Sequence, residues 1–369
     1  MQFIKCTREA LLKPLQTVGG IVEGRQTLPI LANILLSKNG DNVCFTTTDL
    51  EIQIKTNANV GMGAEALRTT LPAAKLIALL NAIPGSGTEV SLEKEDKRVV
   101  LRANSSRFSL AQLDANEYPE LTRSDFATEI TIPSSTLKHL MQMVHFAMAQ
   151  QDIRFYLNGL LLVAGDGFIR AVATDGHRLA CCDAECDMHF SETIEAILPR
   201  KTVLQLMKLL PDSDDPVKIR LGASQACFEF GDIEFLTKLI DGKFPDYTRV
   251  IPTGNDKIFS INREQLIGAL KRAAILANEK FKGLRWVVTP GKLLIQSANS
   301  EMEEAVEDIA ISYQGAELDL GFNVTYLLDV LSNLKNAEVR FAFSTAQGPT
   351  LLTMPDSERF RYVLMPMRI

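Results

Sequence analysis

The sequence predicts an α+β protein made of three copies of one unit, each copy two helices packed on one face of an antiparallel sheet. Three observations carry this reading. Helix starts recur after Thr7, Ser134 and Asn262, 127 and 128 residues apart. A second helix follows in each copy, after Leu71-Pro72, Leu198-Pro199 and Phe322-Asn323. A closing turn recurs as Glu117-Tyr118-Pro119-Glu120 and Lys243-Phe244-Pro245-Asp246, 126 residues apart.

The first helices open on residues whose side chains accept a hydrogen bond from the first turn. Their apolar residues follow helical spacing: Leu11, Leu15, Val18, Val22; then Leu137, Met141, Val144, Met148; then Leu266, Leu270, Ala273, Ala277. Pro14 is expected to kink the first of them. The second helices repeat the pattern as Leu76, Leu79, Leu80, Ile83; as Val203, Leu206, Met207, Leu210; and as Leu327, Leu328, Leu331, Leu334. Between them, Ile30 to Leu36, Leu160 to Ala164, Ala226 to Leu236 and Val339 to Phe343 read as strands. Solenoid repeats are shorter and share one core, so the repeat implies three domains, near 1–127, 128–253 and 254–369.

A chain of 369 residues, 46% hydrophobic, is long enough for several cores. It has no apolar run of membrane-spanning length, and the Met-Gln-Phe-Ile-Lys start is no targeting signal, so a cytoplasmic protein without a membrane is expected. The six cysteines lack paired spacing, and adjacent Cys181 and Cys182 make a poor disulfide framework. Cys182, Cys186 and His189 fall short of a four-ligand zinc site, and Asp212, Asp214 and Asp215 beside Ser213 and Pro216 read as a solvated loop. No metal or cofactor is expected.

Val172 to Ala180 packs Asp175, Gly176, His177 and Arg178 into one polar turn and invites a catalytic reading. The same position holds Phe-Thr-Thr-Thr-Asp-Leu-Glu at 45–51 and Gln-Ser-Ala-Asn-Ser-Glu at 296–301, without histidine, so the turn is structural first. Adjacent residues in a turn do not orient each other as a base and its partner must. The phosphate-cradling loop, the nucleophile elbow and the H-E-x-x-H helix are all absent, which leaves no catalytic constellation. A hydrolase would lose turnover on His177→Ala, whereas a binding protein would lose a partner. A scaffold that does not use DNA would show no preference for closed circular DNA.

The net charge of −6 is unevenly spread. The helical windows 7–25, 72–83, 134–151, 199–210, 263–283 and 322–335 hold 14 basic and 5 acidic residues, leaving 25 basic and 40 acidic for the rest. A basic helical layer on an acidic sheet layer suits contact with a polyanion. With no base-reading motif beside it, such contact is to phosphate and independent of sequence.

Six motifs in colinear order resemble the bacterial sliding clamp family, the beta subunit of DNA polymerase III. They are Thr27-Leu28-Pro29-Ile30-Leu31-Ala32-Asn33, Phe146 to Asp152, Ala173 to Ala180, Asp241 to Tyr247, Ala274 to Lys280, and Met365-Pro366-Met367-Arg368. The resemblance implies the DNA clamp fold: a head-to-tail homodimer of three-domain chains closed into a ring around duplex DNA, twelve helices lining the hole, with no chemistry of its own. It implies DNA contacts at Arg25, Gln151, Arg154, Tyr156, Arg200 and Lys201, with Phe155 where relatives often have tyrosine. It implies a dimer contact of Lys75, Arg107, Phe108 and Leu110 with Ile275, Leu276, Glu301, Glu303 and Glu304. Ser105 and Val306 stand where a related clamp has an arginine and a glutamate. It further implies a groove for short peptides of the replicative polymerase, clamp loader, and translesion and repair proteins. Its residues are Leu157, Thr174, Gly176, His177, Arg178, Leu179, Pro245, Arg249, Val250, Asn323, Tyr326, Val363, Leu364, Met365, Pro366, Met367 and Arg368, with Pro349 in place of a small polar rim residue.

Overall fold

In the computed structural model residues 1–24 and 28–368 are described, and Arg25 lies outside them. Among the described residues are six α-helices: α1 (Arg8–Gly19), α2 (Ala73–Ala82), α3 (Ser134–Val144), α4 (Arg200–Leu209), α5 (Arg263–Ile275) and α6 (Val324–Asn333). The capping residues act as their chemistry dictates. Thr7 accepts from Ala10 N at 3.3 Å, Asn262 from Gln265 N at 2.9 Å and Asn323 from Thr325 N at 2.9 Å. The helix α1 runs through Pro14 unbroken, because Leu11, Pro14, Leu15 and Val18 are all buried and packing outweighs one lost backbone bond. Of the run Ile30 to Leu36, expected as strand, Asn33 onward lies in the strand Asn33–Asn39, while Ile30 to Ala32 belong to the 3-10 turn Pro29–Ala32, since proline at its first position favours a turn over a ladder.

The chain forms two compact units that do not follow the threefold repeat. The first holds Met1–Ser135 and Gln205–Leu239; the second holds Thr136–Leu204 and Ile240–Ile369. Among the described residues each unit contains one four-stranded and one eight-stranded sheet, all antiparallel. The eight-stranded sheets arise where strands of two successive copies pair edge to edge, which satisfies backbone groups that a separate sheet would leave open. In the first unit Ile52–Asn59 pairs with Ile233–Lys238, as in Ile54↔Phe235. In the second, Arg178–Glu185 pairs with Ser357–Leu364, as in Leu179↔Val363. The first unit packs α1 and α2 together against its sheets, and the second does the same with α5 and α6. The second unit's core is aromatic: Trp286, Phe322, Phe341, Phe343 and Phe259 are at most 2% exposed. There Trp286 meets Phe322 edge to face at 5.2 Å.

The turn singled out in the sequence recurs as a hydrogen-bonded shape. Asp49 Oδ1 accepts from Glu51 N and Ile52 N, and Asp175 Oδ1 accepts from His177 N and Arg178 N. Asn299 Oδ1 accepts from Glu301 N and Glu303 N, so the third copy spans one residue more. Each turn carries a residue with positive φ: Leu50 at 76°, Gly176 at 91° and Met302 at 62°.

The cysteines are free thiols. Burial pushes Cys181 up to about 11, and Cys182 and Cys227 up to about 12. A raised pKa leaves a thiol protonated, and so unreactive, until the pH approaches it. These three should therefore resist a disulfide-exchange thiol reagent at pH 8 in native protein and react fully once it is unfolded, as counted by absorbance.

Candidate peptide groove and basic helix face

The groove is built where the fused sheet of the second unit brings the Asp175 turn beside the C-terminal strand. Pairing of Arg178 with Leu364 and Leu179 with Val363 aligns the two elements. Beyond the strand the tail is held by backbone bonds, Met365 N donating to His177 O at 3.0 Å and Met367 N to Gly321 O at 2.8 Å. The result is a depression of about 640 Å3, mouth included, walled by Leu157, Leu179, Pro245, Tyr247, Val250, Val363 and Met365. A second depression of about 570 Å3 continues it past His177 and Met365 to Asn323, Tyr326, Pro366 and Met367. Two adjoining apolar hollows with polar groups at the rim suit an extended chain bearing spaced apolar side chains.

Arg178 holds this corner together. It is 9% exposed, and its guanidinium donates to Asp175 Oδ2 at 3.0 Å, Asp329 Oδ2 at 2.7 Å and Phe146 O at 2.7 Å. It also lies 4.3 Å from the Tyr326 ring centre. Burial works against its charge, but Tyr362, Asp329 and Asp175 outweigh it, and its pKa rises. Tyr362 donates its hydroxyl to Tyr326 O at 3.0 Å, fixing the start of α6 to the C-terminal strand. Gly176 suits this turn: its φ is 91°, which favours glycine, and a Cβ there would push on the end of the Arg154 side chain 3.1 Å away.

The remaining groove candidates divide. Leu364 is buried in the ladder, Arg368 is exposed, and Arg249 pairs with Asp246 at 2.8 Å outside both hollows. Pro349 lines neither hollow. Arg154 and Tyr156, assigned to DNA from the resemblance, line the first hollow, and Arg154 is clamped by Asp152, whose carboxyl falls to about 2 through that hydrogen bond. Tyr247, absent from the sequence assignment, also lines it and accepts from Arg170 at 3.0 Å. Its presence in the closing turn, after Pro245, was the available signal.

Among the six α-helices, 10 residues are basic and 3 acidic. Arg200 and Lys201 open α4 with no acid in its first turn, against the sign that the helix dipole favours. Burial, followed by the Arg178 charge, lowers the Arg200 pKa. Gln151 is exposed at φ 56° in the loop that also exposes Ile153 and Phe155.

Each interface candidate can also be located within its own unit. Ser106–Ala111, with Arg107, Phe108 and Leu110, is the outer strand of one four-stranded sheet, and Arg107 pairs there with Glu95 at 2.9 Å. Glu304–Ala310 is the outer strand of the other, where Val306 is 56% exposed. Glu301 and Glu303 are exposed in the preceding turn, Ile275 is 77% exposed at the end of α5 with Leu276 half-buried beside it, and Lys75 is exposed on α2.

Comparison with known proteins gives one consistent match. Residues 1–122, 131–246 and 248–368 match the N-terminal, central and C-terminal domain models of the DNA polymerase III beta subunit. The beta sliding clamp of Pseudomonas aeruginosa is 42% identical over 98% of both chains, and that of Escherichia coli 41% over 98% of both. A crystal structure of the Pseudomonas aeruginosa sliding clamp bound to griselimycin superposes with a TM-score of 0.96 at 42% identity, covering both chains fully.

The Arg178 network makes a stability prediction. Arg178→Met removes the cation from two carboxylates, one of them partly exposed, and should cost about 2–4 kcal/mol. Urea unfolding of the full chain measures it.

Proposed function

The chain belongs to the DNA polymerase III beta subunit family and has its three-domain clamp fold, and on that premise we propose that it works as a sliding clamp. Two copies close head to tail into a ring around duplex DNA, hold the replicative polymerase on its template, and catalyse nothing. The working compartment is the cytoplasm. The domain boundaries that go with this reading are 1–127, 128–253 and 254–369.

The observation that carries the reading is the pair of open sheet edges. One four-stranded sheet ends on Ser106–Ala111 and the other on Glu304–Ala310; the first edge carries Phe108 half-buried and Leu110 buried, and the second carries Val306 exposed. An edge on one copy pairing with the other edge on the next is a heterologous contact, and two such contacts close a ring. Lys75, Phe108 and Leu110 on one side then meet Ile275 and Leu276 on the other, with Glu301, Glu303 and Glu304 supplying charge.

Contact with DNA falls to the basic helix residues Arg200 and Lys201, with Gln151, Arg154 and Tyr156, and with Arg25, which lies outside the described residues. Two cations at a helix N-terminus are relieved by a phosphate, and loose sequence-independent contacts permit sliding. The groove takes short extended peptides of the polymerase, clamp loader, and translesion and repair proteins, and a griselimycin-bound relative supports its use as a peptide site.

The test of encirclement is retention on DNA. Loaded on nicked circular DNA, the protein should elute with the circle and be lost when the circle is cut; retention on linear DNA would contradict a ring. Arg200→Glu with Lys201→Glu should lower retention and flatten its salt dependence, by roughly 0.9 in log-log slope for each phosphate that is no longer neutralised.

Deleting Met365 to Ile369 should abolish binding of a glutamine- and leucine-containing clamp peptide in fluorescence anisotropy while dimerisation and retention persist. Unchanged affinity would move the partner site elsewhere.

A further inference from the structure

One wall of the peptide groove is a turn that no ladder holds. Pro245, Tyr247 and Val250 supply that wall, while Leu179 and Val363 come from the eight-stranded sheet of the second unit. Among the described residues no backbone hydrogen bond ties residues 241–252 to a strand. Ile240 N donates to Ile197 O at 2.9 Å just before them, and Val250 N returns to Tyr247 O at 3.1 Å inside the turn. Asp246 accepts from Thr248 N and pairs with Arg249, again within the turn. The wall therefore stands where its side chains put it.

Two kinds of contact do this. Phe244 and Tyr247, at most 8% exposed, pack in the apolar cluster that holds Val172, Leu179, Cys181 and Val363. Such packing is non-directional, so it presses the turn onto the sheet without fixing where the turn stops. The directional contact is one hydrogen bond: Arg170 Nη1 donates to the Tyr247 hydroxyl at 3.0 Å. The Arg170 guanidinium also lies 5.9 Å from the Tyr247 ring centre and 5.0 Å from that of Phe168.

Arg170 is itself immobilised. It stands directly opposite Asp183 in the ladder and grips that carboxylate with two nitrogens, Nε on Oδ1 and Nη2 on Oδ2. A two-point grip of this kind sets the orientation of the guanidinium as well as its position. Arg361, from the strand Ser357–Leu364, donates to the same carboxylate and holds it from the other side of the ladder. An unbroken chain of hydrogen bonds thus runs from the middle of the sheet to the groove wall, although Arg170 lines neither hollow of the groove. We propose that Arg170 is a positioning residue for peptide recognition: through the Tyr247 hydroxyl it fixes the turn that carries Pro245 and Val250, and so sets the width of the first hollow. This inference rests on the reading of the groove as a peptide site.

The probe is fluorescein-labelled Gly-Gln-Leu-Ser-Leu-Gly amide, titrated by anisotropy with the full chain. Arg170→Met and Tyr247→Phe should each weaken binding about fivefold, the worth of one hydrogen bond. Because both remove the same bond, the double variant should bind no more weakly than either alone. Tyr247→Phe takes away one oxygen atom and keeps the apolar packing, so it decides the matter should circular dichroism show Arg170→Met unfolded. A role confined to stability would lower the urea midpoint and leave the affinity of the folded protein unchanged. Wild-type affinity in either folded single variant, or losses that multiply in the double variant, would overturn the proposal. Removal of Met365 to Ile369 separates it from the reading beneath it. If wild-type binding survives that deletion, the groove reading falls and this inference with it. If the deletion abolishes binding while Tyr247→Phe binds like wild type, this inference falls alone.

Discussion

The pairing of Arg178–Glu185 with Ser357–Leu364 is the constraint on which the second unit depends. Five residue pairs join strands about 180 positions apart in sequence, and the shape of the groove hangs on their register. A slip of one residue would turn Val363 from the hollow beside Leu179 and Tyr247 to the opposite face. It would also take Arg361 out of reach of Asp183, since Arg361 sits opposite Cys181. Register here is pinned by burial on both faces, with Phe360, Tyr362, Val363 and Leu364 each at most 2% exposed.

Charge is distributed on a similar logic. Arg178, buried and tied to Asp175 and Asp329, serves the architecture. Arg200 and Lys201 stand at a helix start where the backbone dipole disfavours them. Arg200 also reaches His145 O at 3.5 Å, so part of this charge is held within the fold. The acidic excess resides on strands and loops, whereas the six described α-helices hold 10 basic and 3 acidic residues.

Much of the fold was legible because its signals are local. Thr7, Asn262 and Asn323 announce helices by capping chemistry that needs no tertiary context. Leu160 to Ala164 and Val339 to Phe343 fall inside strands for the same reason. The run Ile30 to Leu36 is strand only from Asn33 onward, since the apolar stretch directly after proline fits a 3-10 turn as well as a strand. Fusion of sheets across copies was invisible, because edge pairing leaves no periodic mark in either strand. The groove's residues were reached through motif resemblance; Tyr247 went unnoticed because, in the sequence, it is one more apolar residue of a closing turn. The bond from Arg178 to Asp329, 151 residues away, has no sequence signature at all.

The thrice-used turn keeps one shape on different residues. Its shape is enforced by an Asp or Asn side chain accepting backbone hydrogens, strongly enough that Leu50 sits at φ 76°, where a side chain is strained by roughly 1 kcal/mol. Geometry held in this way is independent of what the other residues of the turn are. The bend therefore leaves its other side chains free to vary, and one of the three carries glycine, histidine and arginine beside the C-terminal strand.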